Sequence, residues 1–202
     1  MKRLFDICFS AFGMFLLTPI FLVVGLLLLF SSGRPVFYMQ ERVGRGGKRF
    51  LIWKFRTMCV GANTLGPSVT SSGDKRVTRI GRYLRAWKID ELPQLMNVFL
   101  GSMSFVGPRP EVPKYVAFYG RDQLPVLDLT PGITDRATLF YRNEEILLAA
   151  QEDPEHFYIS EIIPKKIEIN LEYSRRASFW GDLRIIILTV FVVFWPGLAV
   201  RA

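Results

Sequence analysis

Two adjacent carboxylates, Asp90 and Glu91, lie among cationic side chains: Arg85 and Lys88 precede them, and Arg109 follows in Val106-Gly107-Pro108-Arg109-Pro110-Glu111. Prolines and a glycine stiffen the loop that carries Arg109, and a planar guanidinium can grip a phosphate through two parallel hydrogen bonds. Paired carboxylates beside arginines suit two chemistries. They can hold a divalent cation that bridges a diphosphate, or one of them can attack phosphorus. A purely structural role competes with both. Leu92, Leu95, Met96 and Phe99 keep helical spacing, Gly101 is a suitable terminator, and Asp90 then falls at the N-cap with Pro93 in the first turn. Such a cap is worth about 1 kcal/mol without any catalysis. The same helix start also offers free amides and a positive dipole end to a phosphate.

The rest of the inventory narrows the chemistry. His156 is the single histidine, and Cys8 and Cys59 are far apart in sequence. That composition suggests neither a disulfide framework, nor a cysteine-rich zinc site, nor a Ser-His-Asp triad. Catalysis must then rest on carboxylates, arginines, backbone amides or a bound cation. The 202 residues suffice for one domain with a core, and 26 Lys and Arg against 18 Asp and Glu leave a net charge of +8. With half the residues hydrophobic, this balance calls for an anionic partner: nucleic acid, a phosphate-bearing substrate or an acidic membrane surface.

The elements that must position the carboxylates start at a membrane. Lys2-Arg3 precedes 24 uncharged residues from Ile7 to Phe30. One straight helix of that length is about 36 Å long, against a bilayer core of roughly 30 Å. The run is too long for the core of a cleaved signal peptide. Thr18-Pro19 lies near its middle, where a kink or break is expected. Basic residues flank both ends, with Arg34, Arg42, Arg45, Lys48 and Arg49 following, so the positive-inside bias keeps both ends in the cytoplasm. A re-entrant helix-break-helix satisfies both facts, and a simple spanning helix remains the alternative.

Farther along, Val36–Gln40 and Phe50–Phe55 read as a β-hairpin around a glycine-rich turn whose spacing fits no nucleotide loop. Residues 59–73 read as a loop. Basic residues recur at 76, 79, 82, 85 and 88 in a short amphipathic helix that Thr78 can cap. A turn is expected at Leu129–Ile133, and helices over Glu144–Gln151, over Pro154–Arg176 with an interruption near Pro164, and over Asp182–Phe194. The apolar end of the last helix, Ile185–Trp195 before Pro196-Gly197, suits a bilayer surface or a second copy, giving a homodimer, equally well. The expected fold class is α+β, helix-dominated and monotopic in the membrane, with amphipathic interfacial helices. The expected division is a membrane hairpin over 1–33 and a cytoplasmic, membrane-associated catalytic domain over 34–202.

The ordered segments Glu41-Arg42-Val43-Gly44, Lys54-Phe55-Arg56-Thr57-Met58, Arg79-Ile80-Gly81-Arg82-Tyr83-Leu84-Arg85, Asp90 to Val98, Val106 to Pro110 and Pro131-Gly132-Ile133-Thr134 resemble the bacterial sugar transferase family. Within it they look like the small monotopic phosphoglycosyl transferases. The resemblance runs from the N-terminus to about residue 145, and the length leaves no room for the extra membrane helices of larger members. It implies transfer of a sugar 1-phosphate from a UDP-sugar to polyprenyl (undecaprenyl) phosphate, with Mg2+, on the cytoplasmic face of the bacterial inner membrane. Asp90 matches the nucleophile that forms a phosphosugar-aspartate as UMP leaves, Glu91 the second catalytic acid, assigned to metal and base work, and the pair the metal site. Arg85 and Arg109 match phosphate-binding arginines, Pro108 and Pro110 the rigid loop, Arg142 a nucleotide or phosphate contact, and Thr18-Pro19 the break of a re-entrant hairpin. Two departures stand out. Many members continue Gly-x-Ala-Gln-Val where this chain has Asp135-Arg136-Ala137-Thr138-Leu139, and Met96 replaces the usual larger residue. The rival class is a membrane-anchored binder of anionic lipid or nucleic acid, but no nucleic-acid signature is present.

Overall fold

A computed structural model describes residues 1–66 and 69–195. Helix α1 (Lys2–Ser32) carries Pro19 inside it and continues through Thr18-Pro19 rather than dividing into two helices there. Proline removes a single i to i−4 hydrogen bond, and the Thr18 hydroxyl donates to the Met14 carbonyl at 2.9 Å beside the gap, so the remaining ladder holds the helix together. Among the described residues, α1 is the one helix long and apolar enough to cross a bilayer. Its C-terminal carbonyls are capped from outside: the Arg56 guanidinium donates to Ser32, Gly33 and Arg34 at 2.6–2.8 Å, placing a cation at the negative end of the helix dipole.

Strands β1 (Phe37–Val43) and β2 (Arg49–Phe55) pair antiparallel in the expected hairpin, with Phe37 opposite Phe55 and Val43 opposite Arg49. The described residues of the expected loop, 59–66 and 69–73, contain one short 3-10 turn, Ala62–Thr64, and Met58 bridges Val77. Helix α2 (Arg79–Ala86) begins where Thr78 accepts a hydrogen bond from the Gly81 amide, as its sequence predicts. Next come α3 (Gln94–Leu100), ended by Gly101 at φ 93°, then β3 (Ser104–Val106) and α4 (Pro113–Val116). Strand β4 (Gly132–Thr134) pairs parallel with β3 where only a turn is expected. Three residues are too few to show a period, and their partner lies more than 25 positions away.

The remaining described residues are mostly helical. α5 (Arg136–Phe140) and α6 (Glu144–Ala149) are followed by α7 (Pro154–Phe157), one π-helical turn over Tyr158–Ile162, α8 (Ile163–Arg175) and α9 (Phe179–Phe194). The π turn is the interruption expected near Pro164, which falls in the first turn of α8, where its missing amide costs nothing. α9 starts three residues before its expected beginning because Ser178 caps it by accepting from the Gly181 amide. Pro196-Gly197 lies outside the described residues. One core cluster joins Tyr115, Leu148, Tyr158, Ile162 and Ile167; a second packs Val24 and Leu28 of α1 against Phe55 and Leu84. The second cluster ties α1 to the hairpin and to α2, the helix that leads into Asp90.

Candidate active site

The turn between α2 and α3 sets the carboxylates. Lys88 has φ 54°, and among the described residues it is the one non-glycine in the left-handed region. That reversal sends the chain into a single 3-10 turn over Ile89–Glu91. The helix expected to follow an Asp90 N-cap therefore starts three residues later, at Gln94 rather than Glu91, with Pro93 as its N-cap, and the Asp90 carboxylate caps no backbone amide. Asp90 is 6% exposed, and its Oδ1 is buried with no hydrogen-bond partner. Burial, together with the neighbouring Glu91 charge, pushes its pKa up to about 6, while Lys54, Arg85 and Lys88 pull it back.

Glu91 is satisfied where Asp90 is not. Lys54 Nζ lies 2.9 Å from Glu91 Oε1, and the Arg109 guanidinium forks the carboxylate, with Nη1 3.2 Å from Oε2 and Nη2 on Oε1. Burial pushes the Glu91 pKa up, but Arg109 and Lys54 override it and hold the carboxyl well below the usual range. The two carboxyls thus differ in kind: one is a fixed anion in a cationic clamp, the other a desolvated acid poised near neutrality.

Each cation is placed by its element. Lys54 sits on β2, which Asn97 of α3 fastens by accepting from the Trp53 amide at 2.9 Å and donating to the Leu51 carbonyl at 2.8 Å. The Arg109 loop is fixed by crossed backbone bonds, from Gly107 N–H to Thr134 O and from Gly132 N–H to Pro108 O, both 3.0 Å. A Cβ on Gly107 would stand 2.1 Å from the Thr130 carbonyl oxygen, so the loop and β4 approach as only glycine allows. Arg42 donates to Pro110 O at 3.0 Å, and the Val43 amide to Glu111 O at 2.9 Å, holding the far side of the loop.

A cleft of about 2000 Å³ opens on these groups. Asp90, Glu91, Lys54, Arg85, Arg109 and Arg142 line its polar part, and Gly13 and Leu17 of α1 with Val190 and Val193 of α9 line its apolar part. The structure therefore gathers five of the expected site residues in one cleft. Arg85 reaches it while paired to Glu145 at 2.8 Å. Pro108 lies outside the cleft wall and serves through its carbonyl, and Thr18 and Pro19 are exposed on α1, away from the site. Lys54 escaped the sequence reading; the signal was an isolated lysine inside the apolar strand Phe50–Phe55. Among the described residues no cluster of three or more His, Cys, Asp and Glu could hold a metal.

A sequence profile described as bacterial sugar transferase matches residues 1–196. The chain belongs to the bacterial sugar transferase family. It is 38% identical over 197 residues to the UDP-glucose:undecaprenyl-phosphate glucose-1-phosphate transferase of Klebsiella pneumoniae, covering 96% of this chain and 40% of that protein. It is 35% identical over 193 residues to the UDP-N-acetylgalactosamine-undecaprenyl-phosphate N-acetylgalactosaminephosphotransferase of Aeromonas hydrophila, covering 94% and 42%. With the UDP-glucose:undecaprenyl-phosphate glucose-1-phosphate transferase of Caulobacter vibrioides it shares 36% over 202 residues, 94% of this chain and 68% of that protein. The chain thus spans about two fifths of the length of the first two bacterial sugar transferases. Two of these names specify glucose and one N-acetylgalactosamine.

Proposed function

We propose that the protein is a phosphoglycosyl transferase that moves a sugar 1-phosphate from a UDP-sugar to undecaprenyl phosphate at the cytoplasmic face of the bacterial inner membrane. The observation that carries this reading is Asp90: a buried carboxylate oxygen without a partner, beside a neutralised Glu91 and facing a cleft walled by cations. Asp90 attacks the β-phosphorus of the donor. A bond forms between its carboxylate oxygen and phosphorus, the bond from phosphorus to the bridging oxygen breaks, and UMP leaves with that electron pair. An oxygen of undecaprenyl phosphate then attacks the phosphosugar-aspartate, yielding the diphosphosugar lipid and freeing Asp90. Arg109 and Lys54 supply fixed positive charge where the diphosphate gathers negative charge, and Arg85 and Arg142 approach from the cleft wall.

The donor set fits Mg2+ in its usual mode, one or two carboxylates completed by substrate phosphates and water. Asp90 and Glu91 are the groups to hold it, and the ion would neutralise the diphosphate. The anchoring is re-entrant and monotopic on this reading, because both ends of α1 are tied to the same body. Lys2 pairs with Asp182 at 2.8 Å, Arg3 donates to Val98 O and Phe99 O at 2.6 and 2.7 Å, and Arg56 holds the opposite end. The deciding assay is UMP release from a panel of UDP-sugars, with and without Mg2+ and undecaprenyl phosphate. One UDP-sugar should release UMP, and Asp90→Asn should abolish that release while the protein still fractionates with membranes. Undiminished turnover by Asp90→Asn would remove the nucleophile.

A further inference from the structure

Asp135 is 2% exposed, yet its carboxylate takes no part in the cleft chemistry just described. Both of its oxygens are engaged. Oδ1 accepts the Thr138 amide and caps α5. Oδ2 accepts the Arg109 amide at 3.0 Å and the Asn170 side-chain amide of α8 at 2.8 Å. A carboxylate buried without a cationic partner is costly unless it accepts several good hydrogen bonds, and three N–H donors meet that need here. One of them belongs to the very residue whose guanidinium forks Glu91.

We propose that Asp135 is a positioning residue for Arg109, and through it for nucleoside diphosphate binding, with Asn170 as its brace. A continuous path runs from α8 through the Asn170 amide to Asp135 Oδ2, from there to the Arg109 backbone, and along that side chain to Glu91. The crossed bonds of Gly107 and Gly132 fix the loop before Arg109, but they do not hold the Arg109 amide itself. Asp135 supplies that contact. Because Oδ1 and Oδ2 do separate work, one substitution separates them. Serine is as good an N-cap as aspartate but offers no second oxygen to Arg109. The inference rests on the proposed donor binding at Arg109.

Equilibrium titration with UDP, in detergent and on the full chain, reads the effect without turnover. Asp135→Ser should keep its thermal unfolding midpoint within a few degrees yet bind UDP at least fivefold more weakly. In an Arg109→Ala background the same change should add less than twofold, because the route to the ligand is already gone. Asn170→Ala, which removes the brace alone, should weaken UDP binding about twofold or more. Full UDP affinity in both Asp135→Ser and Asn170→Ala, or losses that multiply with Arg109→Ala, would overturn the positioning role. A wild-type protein that binds no UDP would instead overturn the functional reading beneath it.

Discussion

The partnerless oxygen of Asp90 makes a double prediction about one side chain. An unfolded aspartate titrates near 3.8, whereas burial and Glu91 raise Asp90 to about 6 in the folded protein. The folded state therefore binds this proton more tightly than the unfolded chain, and the stability tied to Asp90 is lost as pH rises through that interval. Asp90→Asn should stabilise the protein at pH 7.5 by an amount on the order of 2 kcal/mol and gain nothing near pH 4, a difference that thermal unfolding at the two pH values would read. Activity should move oppositely. As the proposed nucleophile, Asp90 must be ionised, so UMP release should fall about tenfold per unit below pH 6. A variant that is more stable and inactive at pH 7.5 is the signature of a carboxylate kept for chemistry. Lys54 makes the companion case. Lys54→Ala leaves Glu91 forked by Arg109 but removes the second cation, and should cut UMP release by about tenfold to a hundredfold, as measured initial rates at saturating donor would show.

The pair of strands β3 and β4 shows what a sequence hides at the scale of elements. Leu129-Thr130-Pro131-Gly132-Ile133 reads as a turn because Pro and Gly punctuate it, yet Gly132 is there for contact: its amide reaches Pro108 O at 3.0 Å. Such pairing is decided by a partner distant in sequence, and no local pattern carries it. The same limit displaced the start of α3, since the left-handed Lys88 and the extra turn are products of tertiary packing, and Asp90 passed for a cap. What periodicity or end chemistry could signal was legible: the hairpin β1–β2, the Thr78 cap of α2 and the Gly101 stop of α3, but not the continuation of α1 through Thr18-Pro19. Gly107→Ala tests the hidden contact. Its Cβ would meet backbone oxygen rather than a flexible side chain, so β3 and β4 must part and carry Arg109 with them. The substitution should cost about 3 kcal/mol or more, seen as a lowered unfolding midpoint together with loss of UMP release, whereas a midpoint unchanged from wild type would show that the strands can separate freely.

At the scale of the whole molecule, the described residues leave large aromatic side chains uncovered along α1 and at the start of α9, as the proposed membrane anchoring expects. Phe12, Phe15 and Phe30 of α1 and Trp180 at the start of α9 are 62–84% exposed, far more aromatic surface than a water-bathed monomer leaves uncovered. The sequence made the apolar run and its flanking cations visible, but not which residues grip its ends, because Lys2, Arg3 and Arg56 reach carbonyls and a carboxylate brought near only by the fold. On the proposed function, those grips bear on the choice between the two membrane geometries. A straight spanning helix of 31 residues is about 46 Å long and carries its N-terminus to the opposite face of the membrane. Lys2 would then have to leave Asp182 and the Val106 carbonyl, and Arg3 the carbonyls of Val98 and Phe99. Those groups belong to β3, α3 and α9, which adjoin the carboxylate cleft that, on the proposed function, takes a charged nucleotide from the aqueous side. Retaining all of these contacts keeps the two ends of α1 on one side. Tags placed at each terminus should therefore both resist a protease added to intact spheroplasts and both be cut once the membrane is opened. Cleavage of the N-terminal tag alone in intact spheroplasts would establish the spanning geometry and require the Lys2 and Arg3 contacts to be broken in the membrane.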